Sequence, residues 1–438
     1  MSSYVICCTP AHGHVMPLLT IARHLVEGGH RVRFITGGRY RDRVQDCGVT
    51  HVALPADADV DLDRAGDIPE RRGLKGPEAI RFDLRHLFLG PARGQYATVR
   101  AALAAEPADA VLTEPLFLGS ALLDLLPRAE RPPVVALGIF PLGAASRDTA
   151  PFGLGIVPMP GAIGRLRNRL LQAFSDRMVF GAVQQEADDI ARQVIGRPFR
   201  TGMFNWTSAA DALVQFTVPS FEYPRSDLPA SVHFAGPLPL QPATMEPPRW
   251  WAELDEGRPV VHVTQGTVAN ADFGQLARPA IEGLANDDVL VVVSTGGRPV
   301  EDLGPLPGNV RAAGYLPYAD LFDKVDVLVT NGGYGTVQFA LTHGVPVVAA
   351  GQTEDKIEVT ARVGWSGAGI NLRTNAAAPG QVAGAVRRVL HEPGYRAAAQ
   401  RIGQELRAAD ALGTLDRVLS SVQPAPLGSG IPVLSLDV

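Results

Sequence analysis

Short, almost uninterrupted apolar runs recur along the chain, each followed by a segment whose apolar residues fall at helical spacing. YVICCTP, from Tyr4, reads as a buried strand. HVMPLLTIARHLVEGG then sets Val15, Leu18, Leu19, Ala22, Leu25 and Val26 on one helical face and stops at Gly28-Gly29. HRVRFIT is a second strand, and VTHVAL, DAVLTEP and PVVALGIF continue the alternation. Runs apolar on both faces and joined by helix-length segments predict a parallel, doubly wound α/β sheet.

The tract GPLPLQPATMEPP, residues 236–248, holds five prolines in 13 residues and reads as a linker. Beyond it the pattern restarts with PVVHVTQGT, DVLVVVSTGG, VDVLVTNGG and VPVVAAG. The chain is therefore expected to form two Rossmann-like halves, residues 1–235 and 251–422, around a linker at 236–250. A helical region from about Pro379 to Val422, with Gly403 and Gly413 as candidate breaks, closes the second half, and 423–438 reads as a loose tail.

Length agrees with this division, since 438 residues exceed one ordinary core. The formal net charge of −5, without long runs of either sign, argues against a nucleic-acid partner. Three cysteines, Cys7, Cys8 and Cys47, make neither a disulfide framework nor a zinc spacing. The first residues lack a basic n-region, and no run of about 18 apolar residues is present to span a membrane. A reduced, cytoplasmic protein is expected.

In a doubly wound sheet, ligands bind beyond the carboxyl ends of the strands. VDVLVTNGG delivers Asn331, Gly332, Gly333, Gly335 and Thr336 to that edge, where a starting helix offers N–H groups and its positive dipole end to phosphate oxygens. VTQGT brings Thr264, Gln265, Gly266 and Thr267 to the same edge. Two such turns point to a diphosphate. No GxGxxG stands on a first βα turn, which disfavours a nicotinamide dinucleotide. In the first half, AHGHVMP places His12, Gly13 and His14 at the corresponding edge, and histidine is suited to accept a proton near neutral pH. A carboxylate can hold such a histidine in one tautomer; Glu114 stands at the carboxyl end of DAVLTEP, whereas Asp109 lies at the wrong end of that strand.

GYGT at 333–336, HGVP at 343–346 and Glu354-Asp355, preceded by GYLPYADLF and opened by GHVMPLL, resemble the family 1 inverting glycosyltransferases, and within them the bacterial macrolide and natural-product enzymes. The resemblance spans nearly the whole chain. It implies a GT-B fold, two facing Rossmann-like domains, with His14, in its HxxP spacing, as general base and Glu114 where the family has an aspartate. It further implies that Tyr315 stacks on the base and the Leu316 backbone reads its edge. Thr267 and Thr336 would bind the β-phosphate, and Gly13, Gly266, Asn331, Gly332, Gly333 and Gly335 would surround the donor. Asp355, with Glu354 beside it, would accept the sugar hydroxyls.

Three positions depart from the family pattern: Asn331 replaces a histidine, Phe339 a ribose-binding glutamate, and Lys356 a glutamine. Loss of the carboxylate at 339 makes a dTDP donor more plausible, with UDP still slightly favoured. DADVDLD, residues 57–63, has a metal-chelating spacing but reads as a charged loop, so no metal and no cofactor are expected. The irregular stretch 141–161, with Phe152, Leu154, Ile156 and Met159, suits a mobile loop over an apolar acceptor. The implied partners are a nucleotide-sugar and an apolar polyketide, macrolide, sterol or phenol, without integral membrane association, in a monomer or homodimer. A non-catalytic nucleotide-sugar-binding paralogue and a two-domain nucleotide-sugar epimerase are the alternatives.

Overall fold

The computed structural model describes residues 1–422 apart from 63, 65–67, 75, 200, 204, 240–244 and 268–269, so part of the proline-rich linker and the whole expected tail lie outside the described residues. The strands are β1 (Ser3–Cys7), β2 (Arg31–Thr36), β3 (Thr50–Ala53), β4 (Ala110–Thr113), β5 (Val134–Gly138), β6 (Ala212–Gln215) and β7 (Val232–Phe234) in the first half. The second half holds β8 (Val260–Thr264), β9 (Leu290–Ser294), β10 (Val310–Ala313), β11 (Val327–Thr330), β12 (Val347–Ala349) and β13 (Gly369–Asn371). They form two sheets, ordered β3-β2-β1-β4-β5-β6-β7 and β10-β9-β8-β11-β12-β13. Every adjacent pair is parallel. Strand order reverses beside β1 and β4 in one sheet and β8 and β11 in the other, the two places where such sheets open a ligand crevice.

All the strands expected from apolar runs are present. The four not anticipated, β6, β7, β10 and β13, are three or four residues long and lie toward the sheet margins.

Successive side chains of a strand face opposite ways, and β1 shows the consequence. Val5 and Cys7 enter one core with Leu118, Leu122 and Ala136, while Tyr4, Ile6 and Cys8 enter another with Leu18, Ile21 and Phe34. The three cysteines are buried free thiols, and burial pushes Cys7 up to about 12, so they are packing residues.

The C-terminal helical region is three helices, Pro379–His391, Pro393–Ala408 and Ala411–Ser421. Its breaks fall at Glu392-Pro393 and Ala409-Asp410 rather than at Gly403 and Gly413. Gly403 is buried inside the middle helix, where a Cβ would lie 2.3 Å from the Leu341 carbonyl oxygen, so its lack of a side chain serves close packing. Gly413 sits in the first turn of the last helix and donates its N–H to the capping Asp410 carboxylate at 2.9 Å. That last helix returns to the first half: Ala411, Leu415 and Val418 pack in the core that holds Ile6 and Val214.

Candidate active site

The carboxyl ends of both sheets face one cleft of ≈ 2280 Å³, lined from the first half by His12, Gly13, His14 and Phe140 and from the second by Gly266, Thr267, Asn331 and Asp355. Each switch point contributes a polar turn at the end of a buried strand.

In the first half, β4 ends at Thr113 and Glu114 follows it, completely buried. Its Oε1 accepts the Thr9 N–H at 3.1 Å and the Thr9 hydroxyl, and its Oε2 accepts the Leu116 N–H at 2.8 Å. The same Oε2 lies 3.2 Å from Nδ1 of His14, which stands in the first turn of the helix His12–Glu27 with a side chain 22% exposed. Burial alone would push the Glu114 carboxyl up; the His14 ring, the Thr9 hydroxyl and the Leu116 N–H outweigh it and hold the group below its ordinary range. An ionised carboxylate so placed accepts the Nδ1 proton and leaves Nε2 as the basic nitrogen. The His14 ring also lies 6.2 Å from Phe140, itself 6.2 Å from Phe152, so the imidazole is flanked by an apolar wall. Thr9 and Phe140 were not singled out in the sequence; the signal for Thr9 is a hydroxyl directly following the β1 apolar run.

In the second half, β8 ends in Thr264-Gln265-Gly266-Thr267, with Gly266 in the left-handed region at φ 73°. Asn331, following β11, donates its amide N–H to the Gln265 carbonyl at 2.7 Å. This residue therefore ties the two turns together, a role the sequence did not suggest. The helix Tyr334–Thr342 starts with no side-chain cap, and Gly333, Gly335 and Thr336 line the cleft at its first turn. Gly332 stands just behind at φ 92°, where a Cβ would come within 2.7 Å of the Thr360 methyl, so it is off the cleft wall.

Asp355 is partly exposed at the cleft and immediately precedes the helix Lys356–Trp365, with no side-chain hydrogen bond to the helix start. Its packed surroundings raise its carboxyl, against the pull of Lys356. Glu354 adopts φ 55°, rare for a non-glycine residue, and ion-pairs with Lys356. Lys356 thus brings its charge to the acidic pair. Phe339 lines the cleft and packs at 5.1 Å from Phe322 and 4.6 Å from His343. Tyr315 and Leu316 are not among the lining residues: Tyr315 is 54% exposed and packs over Gly297, and Leu316 is in the core. Tyr318 lines the wall, its hydroxyl 3.2 Å from Nε2 of His262 and 3.0 Å from the Ser294 hydroxyl. Burial lowers His262 to about 4, so it is a neutral packing residue.

The stretch 141–161 has no helix or strand before Gly161, yet it is tied to both halves. Leu142 donates its N–H to Glu222 at 2.9 Å, and Gly153 and Gly155 donate theirs to Glu358 at 2.8 and 3.0 Å. Both carboxylates hold the buried Arg362 guanidinium, each at 2.8 Å, and Tyr223 packs on its face at 4.2 Å. This network joins the two halves beside the cleft, and no sequence motif marked it. Phe152 and Leu154 line the cleft, whereas Ile156 and Met159 do not. In the 57–63 loop, Asp59 accepts the Gly38 N–H at 2.8 Å and Asp61 pairs with Arg39; Asp63 lies outside the described residues.

Residues 279–412 match the erythromycin biosynthesis protein CIII-like C-terminal domain family. The chain is 43% identical over 414 residues to 4'-demethylrebeccamycin synthase of Lentzea aerocolonigenes, covering 93% of this chain and 96% of that protein. It is 35% identical over 440 residues to UDP-glycosyltransferase 2 of Phaeomoniella chlamydospora, covering 94% and 93%. Among solved structures, the calicheamicin glycosyltransferase CalG4 superposes with a TM-score of 0.72 at 21% identity, covering 97% of this chain and all of that one, a likeness of fold.

Proposed function

The chain belongs to the family 1 natural-product glycosyltransferases of GT-B fold, and from that membership we propose that it transfers a sugar, with inversion, from a nucleoside-diphosphate donor to a hydroxyl of an apolar acceptor. The observation that carries this reading is the His14–Glu114 pair, held on one wall of a cleft whose other wall is built from two small-residue turns. The acceptor hydroxyl gives its proton to Nε2 of His14 as its oxygen attacks the anomeric carbon. The bond from that carbon to the diphosphate breaks, and the nucleoside diphosphate leaves with the bonding electrons. Glu114 fixes the tautomer and stabilises the imidazolium as it forms.

The leaving diphosphate is held by the first turn of the helix Tyr334–Thr342, by Thr336 and by Thr267, so the negative charge that develops meets N–H and hydroxyl donors rather than a metal ion. Asp355 takes the sugar hydroxyls. Phe152, Leu154 and Phe140 supply the apolar acceptor side. For the donor, UDP stands first and dTDP second: the 35% identical relative is a UDP-glycosyltransferase by name, while Phe339 offers the ribose no carboxylate. The test is mass spectrometry after incubation with a panel of UDP- and dTDP-sugars and a mixed library of polyketide, macrolide, sterol and phenol acceptors. Acceptor masses raised by one glycosyl unit support the reading. Nucleotide-sugar binding without any glycosylated product, or conversion of the donor to an isomer, overturns it.

A further inference from the structure

The helix Gly161–Phe174, continued by the π-helical turn Ser175–Val179, presents its faces in reverse. The positions it buries are the small or polar Gly164, Asn168 and Ser175. The positions it exposes include Ile163, at 77%, and Leu166, Leu170, Phe174 and Met178, at 57–63%. At about 100° per residue, Ile163, Leu166, Leu170 and Phe174 fall within an arc of about 80° and extend over about 16 Å. Val157 and Met159, also exposed, lie alongside, held by the Arg167 bond to the Val157 carbonyl and by the contact of Met159 with Gly164. An outward apolar stripe of this size calls for a covering surface.

Charge decides which one. The segment carries Arg165, Arg167, Arg169 and Arg177 against the single Asp176, and Arg165 is ion-paired with Asp148 at 2.9 Å, which leaves a net of +2 in a chain whose net charge is −5. On the helical projection Arg167 and Arg169 border the stripe on its two sides. A second copy of the chain placed on this face would set +2 against +2. An anionic partner is required, and a convex single helix with an apolar ridge between guanidinium groups fits a plane rather than a groove. We propose that this helix docks the protein on an anionic lipid surface, with Leu166, Leu170 and Phe174 at the acyl boundary and the arginines among lipid phosphates. Gln172, Ser175 and Asp176, on the opposite side of the same segment, line the cleft, so docking brings the cleft close to a phase in which apolar acceptors dissolve.

The experiment is co-sedimentation of the full chain with vesicles of phosphatidylcholine alone or mixed with phosphatidylglycerol, read without turnover and so independent of the proposed transfer. The wild type should bind the mixed vesicles at least about tenfold more tightly than the neutral ones, as expected for several arginines near an anionic surface. The triple variant Leu166→Gln, Leu170→Gln, Phe174→Gln should lose this binding while keeping its circular dichroism and melting temperature, because the three side chains are exposed. Arg169→Glu with Arg177→Glu should abolish the preference for anionic vesicles. Equal sedimentation of wild type and triple variant, or no binding to either vesicle, overturns the proposal. So does a wild-type dimer in light scattering that the triple variant converts to monomer, which would assign the stripe to a second copy.

Discussion

Replacing Glu114 by glutamine changes one atom in a fully buried site, and the geometry says where the damage falls. The carboxylate accepts two backbone N–H groups, Thr9 at Oε1 and Leu116 at Oε2, and Oε2 also faces Nδ1 of His14. A glutamine has one carbonyl oxygen, so in either orientation its NH₂ meets one of those backbone donors. One buried N–H is left without an acceptor, a loss of about 1–3 kcal/mol in stability. If the NH₂ faces Leu116 and His14, the imidazole must accept at Nδ1 and carry its proton on Nε2, where it cannot act as a base. If it faces Thr9, the tautomer survives but the charge that stabilises the imidazolium is gone. The general-base contribution of about 10²–10⁴ is therefore largely forfeited, a rise of roughly 2.7–5.5 kcal/mol in the barrier. The assay is steady-state kcat with saturating donor and acceptor, alongside calorimetric titration of the free nucleotide, whose affinity should hold because the substitution lies on the opposite wall. Wild-type kcat in Glu114→Gln, with the protein folded, would refute the coupling between Glu114 and the base.

Arg362→Met leaves the buried Glu358 carboxylate without its guanidinium partner and Glu222 with only Arg225 at 3.6 Å, which should lower stability by about 3–5 kcal/mol and visibly depress Tm, with partial recovery when Glu358 becomes glutamine; an unchanged Tm by differential scanning calorimetry would contradict this. Because the Glu114 carboxyl is depressed in the folded protein, its contribution is present above the unfolded value near 4.5 and is lost as pH falls through the lower folded value. Urea unfolding should accordingly show Glu114→Gln converging toward wild type in acid, and a constant gap would count against the ionised carboxylate. Phe339→Glu offers the ribose a charged acceptor worth roughly 1.5–3 kcal/mol, so UDP should gain over dTDP by about tenfold or more in competition titrations. Equal changes for both nucleotides would place the ribose elsewhere. Turnover should survive excess EDTA, and strict dependence on Mn²⁺ or Mg²⁺ would return attention to the 57–63 loop.

The two sheets were legible because their central strands are long apolar runs, and the cleft because polar turns must follow such runs at a carboxyl edge. The pattern brought His12 and His14 to that edge, the family resemblance singled out His14 and Glu114, and the structure brings those two into contact. Short marginal strands such as Val232–Phe234 leave no run to read. Tyr315, which the motif position puts on the base, is exposed and packs over Gly297, and Tyr318, three residues on, lines the cleft. Partners brought together only by folding were invisible. Asn331 meets Gln265 across 66 residues, and Arg362 meets Glu222 across 140. A hydrogen bond of that kind has no local spacing.

The central claim is that His14 accepts the acceptor's proton during a single inverting displacement. Its most direct test is the reaction of an accepted donor and acceptor pair followed by nuclear magnetic resonance, comparing wild type with His14→Ala. The account predicts that the wild-type glycoside has the anomeric configuration opposite to the donor, and that His14→Ala binds the nucleotide normally while turning over about 10²–10⁴ more slowly. A product that retains the donor's configuration, or an undiminished rate in His14→Ala, would contradict it.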